Sequence, residues 1–125
     1  GILDKFTESV FSSIAPKNAS IIHKSIAFIN EHYKENVTLD MVANHVHLNS
    51  SYFSSLFKKE MGISFSNYLN QVRIEKSKSL LENTDYSILR IALEVGFEEQ
   101  SYFTKVFKNI TGYTPKEYKN KALNK

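Results

Sequence analysis

Apolar residues recur along the chain at helical rather than strand spacing, and one helical pattern occurs twice. Its apolar stripe consists of Phe53, Leu56, Phe57 and Glu60/Met61 in the first copy and of Phe103, Val106, Phe107 and Ile110 in the second. The opposite face carries Ser51, Ser54, Ser55 and Lys58 in the first copy and Ser101, Thr104, Lys105 and Lys108 in the second. Each copy therefore predicts an amphipathic helix with a polar, cationic outer face.

The two copies are related by a constant offset of fifty residues. Ser51, Tyr52, Phe53, Phe57, Lys58, Gly62 and Tyr68 recur as Ser101, Tyr102, Phe103, Phe107, Lys108, Gly112 and Tyr118. A short apolar segment precedes each copy, with Leu39, Val42, Ala43 and Val46 before the first and Ile88, Ile91, Ala92 and Val95 before the second. Two helices joined by a short turn are the pattern of a helix-turn-helix, whose second helix enters the major groove of DNA.

Cap and stop residues predict the remaining helices. An amphipathic helix is expected from Ala19 to about Tyr33, and a long connecting helix from Ser64 to about Glu82. We predict that Gly62 and Gly112 end the two repeated helices, the second of which runs from about Glu99 to Ile110. Further caps are expected at Thr38, Asn49 or Ser50, Ser64, Ser87 and Thr114, the last in a capping box with Glu117. The buried side of the long helix is expected to hold Phe65, Leu69, Val72, Lys76 and Leu80, widened by Tyr68 and Leu81.

The turn of the first copy holds His47 where the second copy holds Gly96. A turn residue at this place is expected to adopt an unusual backbone conformation, which glycine adopts freely and histidine tolerates better than branched residues do. No segment has the alternation of a convincing strand, so the expected fold is all-α with about seven helices.

Composition and charge narrow the class of protein. The 125 residues include no cysteine, which excludes a disulfide scaffold and a thiolate metal site. No apolar run approaches membrane-spanning length, so we expect no membrane partner and a cytoplasmic location. The net charge is only +3, but six lysines and one acid, Glu117, lie between Lys105 and Lys125. That region fits either a solvent-exposed tail or a basic surface that binds the phosphate backbone of a nucleic acid.

The second copy carries the motifs by which the chain resembles the DNA-binding domain of the AraC/XylS family of transcription regulators. These residues are Ile91, Ala92, Val95, Gly96, Phe97, Ser101, Tyr102, Phe103, Phe107, Lys108, Gly112, Thr114, Pro115 and Tyr118. The resemblance implies seven helices and two helix-turn-helix lobes, at about 39–61 and 87–111, joined by a linker helix at about 64–82. It also implies that one monomer reads two successive major grooves. We expect a sequence-specific regulator of transcription that acts as an activator.

The resemblance maps the family's base-facing positions onto two sets of residues. They are Ser51, Ser54 and Ser55 in the first recognition helix and Gln100, Ser101, Thr104 and Lys105 in the second. Glutamine can pair with an adenine edge and lysine with guanine acceptors. Serine is short and can hydrogen-bond to several different bases, so it discriminates less. We therefore expect the second helix to discriminate bases more strongly than the first. Backbone contacts are expected from Lys58, Lys59, Ser64, Lys108, Thr114 and Lys116.

Other residues leave alternatives open. Arg73 on the linker helix is expected either to touch DNA or to pair with a neighbouring carboxylate. The paired aromatic residues are expected to pack in the core; they are Tyr52, Phe53, Phe57, Tyr102, Phe103 and Phe107. Residues 1–18 fit a short helix or the remnant of an upstream domain, and we interpret them as a linker to a regulatory domain absent from this chain. Residues 19–125 then form the DNA-binding domain.

Two other functions fit the sequence less well. An enzyme is disfavoured because His45 and His47 lack the third ligand or base partner that metal or nucleophile chemistry requires. No metal and no cofactor is expected. A helical repeat that binds protein is disfavoured because the repeated outer faces are polar. Double-stranded DNA is thus the expected partner, with RNA polymerase as a further candidate, and the two unlike recognition helices predict an asymmetric DNA site.

Overall fold

The computed structural model describes residues 16–124, with only the backbone of Pro16. This part of the chain contains seven α-helices and no strand, which confirms the predicted all-α fold. The helices are α1 (Pro16–His32), α2 (Leu39–His45), α3 (Ser50–Met61), α4 (Phe65–Asn83), α5 (Ile88–Glu94), α6 (Gln100–Thr111) and α7 (Pro115–Leu123). Across residues 16–124, no helix is both long and apolar enough to cross a bilayer.

Helix α1 begins three residues before the predicted start at Ala19. Its first residue is Pro16, which a helix tolerates in its first turn because the N–H there has no intrahelical partner. The rest of the segment interpreted as a linker, residues 1–15, lies outside the described residues. Helix α6 begins at Gln100 instead of Glu99, which is its N-cap residue.

The predicted caps are present as hydrogen bonds. The side-chain oxygens of Thr38, Ser64 and Ser87 accept from the backbone N–H groups of Met41, Asn67 and Arg90, at 3.2, 3.1 and 3.0 Å. Thr114 and Glu117 form the expected capping box, because each side chain accepts the other's backbone N–H, at 3.1 and 2.8 Å. These hydrogen bonds lower the pKa of Glu117. Together with Asn49 at the start of α3, side-chain caps fix where five of the helices start.

The described chain divides into two compact units. The first comprises residues 16–32 and 37–69, and the second comprises residues 33–36 and 70–124. The first unit contains α1, α2, α3 and the beginning of α4, packed around edge-to-face and tilted aromatic pairs. In this cluster the ring of Phe57 lies 5.7 Å from Phe53, 6.2 Å from Phe65 and 5.7 Å from Tyr68 between centroids.

The second unit repeats this core with the rest of α4 and helices α5, α6 and α7. The ring of Phe103 lies 5.3 Å from Phe97 and 5.7 Å from Phe107, and Phe107 lies 5.5 Å from Tyr118. The Tyr118 hydroxyl donates to Glu82 at 2.6 Å. Burial and this carboxylate raise the pKa of Tyr118 to about 12. The ring contact between Phe107 and Tyr118 in the second unit thus matches the contact between Phe57 and Tyr68 in the first.

The buried side of α4 differs from the prediction in its C-terminal half. Phe65, Tyr68, Leu69, Val72 and Leu81 are buried as expected, but Lys76 is exposed and Leu80 is only partly buried. Ile74 and Ser77 lie in the interior instead. The predicted stripe was wrong here because Ile74, Ser77 and Leu81 form a second set at helical spacing, which the periodic template based on Leu80 did not include.

The turns of the two helix-turn-helix motifs share one hydrogen-bond pattern. Leu48 N–H donates to Ala43 O and Phe97 N–H donates to Ala92 O, both at 2.9 Å. His47 has φ 60° and Gly96 has φ 105°, so the unusual conformation predicted for this position is confirmed in both copies. The left-handed region is uncommon for a residue with a side chain, and His47 is the one non-glycine residue in residues 16–124 that adopts it.

Candidate nucleic-acid interface

Helix α3 is held by its cap and by its apolar side. The Asn49 carboxamide oxygen accepts the N–H groups of Ser51 and Tyr52 at 2.8 and 3.2 Å. The Ser50 hydroxyl donates to Asp40 at the start of α2, which ties the two helices of the motif together. Gly62 ends the helix with φ 79°. Because Phe53, Leu56, Phe57 and Met61 are buried, the polar side of α3 faces outward.

Helix α6 is placed in the same way, except at its first turn. Glu99 occupies the N-cap position but makes no side-chain cap hydrogen bond. The Tyr102 hydroxyl accepts from the Asn70 side chain of α4 at 3.2 Å, and Gly112 ends the helix with φ 85°. The first turn of α6 is therefore connected to α4 through a tyrosine and not closed by a cap like that of α3.

The predicted base-facing residues lie on the outer sides of α3 and α6. Ser54 and Thr104, at equivalent positions of the two copies, are half-buried, and the other members of the two sets are exposed, namely Ser51, Ser55, Gln100, Ser101 and Lys105. In each helix these residues follow one another at helical spacing on the side opposite the core. Each unit thus presents one continuous polar strip of hydrogen-bonding side chains.

The residues predicted to contact the DNA backbone lie on α3, α6 and α7 or cap α4 and α7. Four lysines are exposed, at Lys58, Lys59, Lys108 and Lys116. The hydroxyl oxygens of Ser64 and Thr114 each accept a backbone N–H of their own helix. A hydroxyl that accepts in this way keeps its hydrogen for donation to an outside acceptor.

Two tyrosines were misassigned to the core. Tyr52 is 57% exposed and Tyr102 is 51% exposed, whereas Phe53 and Phe103 are fully buried. Neighbouring positions on a helix point about 100° apart, so a residue next to a central core residue cannot share its direction. Spacing alone does not decide which neighbour is exposed, because the adjacent residues Leu56 and Phe57 are both buried. Ile110, placed in the apolar stripe of the second copy, is likewise 43% exposed.

Arg73 donates its hydrogen bonds to backbone carbonyl groups of the second unit. Its Nε and Nη2 atoms donate to the backbone carbonyls of Tyr33 and Glu35, both at 2.9 Å, and the guanidinium lies 5.6 Å from the Phe97 ring centroid. The residue is only 9% exposed, and burial lowers the pKa of its guanidinium. Arg73 therefore holds the 33–36 segment within the second unit. Its hydrogen bonds thus go to backbone carbonyls, and a DNA contact by Arg73 stays a prediction.

Two of the histidines, His32 and His45, pack against the same phenylalanine. The ring of Phe28 lies 4.4 Å from that of His32 and 4.8 Å from that of His45. Between residues 16 and 124, no group of three histidine, aspartate or glutamate side chains is arranged to hold a metal ion.

Comparisons with known proteins agree with this arrangement. The family model described as "Helix-turn-helix domain" matches residues 42–121. The chain is 40% identical over 100 residues to regulatory protein PocR of Salmonella typhimurium, covering 80% of this chain and 33% of that protein. It is 34% identical over 113 residues to the arabinose operon regulatory protein of Escherichia coli, covering 90% of this chain and 39% of that protein.

A solved structure gives the same result. The C-terminal domain of AraT, a response regulator from Geobacillus stearothermophilus, superposes with a TM-score of 0.78 at 33% identity, covering 87% of this chain and 88% of that one. The chain thus spans nearly all of that domain, but only 33% and 39% of the length of the two curated relatives.

Two helix-turn-helix motifs, each with a polar strip on its second helix, define a DNA-binding protein of the double helix-turn-helix class. The chain belongs to the AraC/XylS family of transcription regulators, as its motifs predicted. The family relationship places it with regulators of transcription and not with enzymes.

Proposed function

We propose that this chain binds double-stranded DNA at a specific asymmetric site, with α3 and α6 in successive major grooves. The observation that carries the proposal is the pair of outward polar strips, one in each unit, each on a helix preceded by the same turn. The two strips carry different side chains, so they would read different base sequences. Serines line α3, whereas Gln100 and Lys105 lie on α6.

Base discrimination is proposed to be stronger at α6. Gln100 and Lys105 are exposed and long enough to reach base edges, where a bidentate pair discriminates by about 1–3 kcal/mol. The serines of α3 are short, so its selectivity would depend more on water and DNA shape. The proposed anchors on the phosphates are the exposed lysines and the two cap hydroxyls described above.

The test starts by selecting bound sequences from a random duplex pool and measuring their affinity for single-base variants. Two variant proteins are compared, one with Ser51, Ser54 and Ser55 changed to alanine and the other with Gln100 and Lys105 changed to alanine. We expect roughly tenfold greater loss of discrimination from the α6 changes, confined to one block of the site. All five side chains are at least partly solvent-exposed, so thermal unfolding should be nearly unchanged and serves as the control. Greater loss from the serine changes would contradict the proposal.

We further propose that the protein activates transcription from such a site through contact with RNA polymerase. The relatives are much longer than this chain, which supports a separate regulatory domain in the complete protein. A promoter carrying the selected site upstream of its start should give more transcript when the complete protein is supplied. A fall in transcript would instead indicate a repressor.

A further inference from the structure

A cleft of about 380 Å³ lies in the first unit, beside the outer face of α3. One wall comes from the first turn of α1, with Lys17 and Asn18, and the other from α3, with Tyr52, Ser55 and Lys59. Residues 52, 55 and 59 are spaced by three and four, so they form a strip along one side of the helix. This strip shares Ser55 with the predicted base-facing set, which places the cleft at the edge of the proposed DNA-reading surface.

One hydrogen bond holds the two walls together. The Asn18 side-chain amide donates to the Glu60 carboxylate at 3.3 Å. This contact links the first turn of α1 to α3 and occupies the carboxylate of Glu60, which lines the cleft. Lys17, next to Asn18 in the chain, is exposed and lines the cleft.

The chemistry of the lining favours an anion that accepts several hydrogen bonds. Two ammonium groups, a phenol and a serine hydroxyl can all donate, and Glu60 is the one carboxylate among the lining residues. Lys59 and Lys17 together outweigh that carboxylate. A phosphodiester carries one negative charge and two free oxygens, which suits this set of donors.

We propose that the cleft seats one phosphodiester of the DNA strand that borders the groove read by α3. Lys17 and Tyr52 are new contacts in this assignment. Lys17 lies outside the helix-turn-helix, and Tyr52 is the exposed tyrosine whose position a core role does not explain. The assignment rests on the proposed function, since it requires DNA at α3, and it adds a phosphate contact from α1.

The test compares Lys17→Gln with Lys24→Gln as the matched control. Lys24 is an exposed lysine of the same helix, seven residues and about 10.5 Å further along, and it does not line the cleft. Dissociation constants are measured against salt for the selected site and for a random duplex. We expect Lys17→Gln to weaken binding to the selected site and to the random duplex by roughly fivefold each. It should also reduce the slope of log affinity against log salt by about one. Lys24→Gln should leave both nearly unchanged. Tyr52→Phe should weaken binding less and keep the slope, because it removes a neutral donor.

A second measurement locates the phosphate. Single methylphosphonates, which lack the charge, are placed in turn along each strand of the selected site. At one position bordering the α3 block, the methylphosphonate should weaken DNA binding by the wild-type protein. The same substitution should leave DNA binding by the Lys17→Gln variant unchanged. If the wild-type protein binds with a steep salt slope but the two lysine variants behave alike, the cleft does not hold a phosphate and the proposed function still stands. If the wild-type protein binds no duplex, the proposed function fails and the assignment fails with it.

Discussion

At the scale of single residues, the turn position shows how one conformation is met by two different side chains. His47 and Gly96 both have positive φ. A Cβ atom at Gly96 would lie 2.4 Å from Tyr33 O and 2.8 Å from Arg73 Nε. His47 is exposed, so its imidazole extends into solvent. Glycine is thus required in the second copy by close approach of the backbone, in addition to the dihedral angle.

Gly96→Ala should lower the free energy of unfolding by about 3 kcal/mol, because the new methyl group meets a backbone carbonyl that Arg73 holds in place. Gly112→Ala is the matched control in the same unit. It has φ 85° and no atom within 4 Å of the added Cβ, so it should cost only about 1 kcal/mol. Urea unfolding followed by circular dichroism measures both. Equal losses would mean that the close approach does not matter.

At the scale of helices, the two copies differ most in how they begin. Asn49 caps α3 with two hydrogen bonds, whereas Glu99 at the equivalent position of α6 makes none from its side chain. The first turn of α6 is connected instead through Tyr102 to Asn70 of α4. The first turn of α3 is therefore stabilised by a local cap. The first turn of α6 instead contacts a residue 32 positions away in the sequence.

Asn49→Ala should lower the free energy of unfolding by about 1 kcal/mol, the usual cost of losing a side-chain N-cap. Glu99→Ala should cost less than about 0.5 kcal/mol, since only an exposed charge near the helix N-terminus is lost. Thermal and urea unfolding of the two variants give the comparison. A larger loss from Glu99→Ala would show that its carboxylate has a structural role.

At the scale of the whole molecule, each unit has its own aromatic core and its own recognition helix. Because both units belong to one chain, a DNA site that carries both blocks should bind more tightly than either block alone through the high effective concentration of the second unit. The two blocks are proposed to lie one helical turn apart, roughly 34 Å.

Inserting about five base pairs between the two selected blocks turns one of them to the opposite face of the duplex. We expect affinity to fall to nearly that of the stronger block alone, measured by mobility shift at constant salt. An insertion of the same length outside the blocks is the control. Unchanged affinity after the central insertion would show that the two units bind without a fixed spacing.

The sequence by itself determined the local structure and the family. Periodicity placed the helices, the capping residues set their ends, and the fifty-residue repeat indicated two helix-turn-helix motifs. Even the conformation of His47 could be predicted from its glycine counterpart. These features depend on neighbours within a few residues, which a sequence pattern records directly.

Only the tertiary structure decided the features that depend on distant partners. Arg73 binds carbonyls 38 and 40 residues away. The buried side of α4 shifts to Ile74 and Ser77, and the cleft beside α3 needs Lys17 from α1. The exposure of Tyr52 and Tyr102 follows from which neighbouring position takes the centre of the core. Packing between segments far apart in the chain selects among side-chain directions that local spacing permits equally, so these roles could not be predicted from the sequence alone.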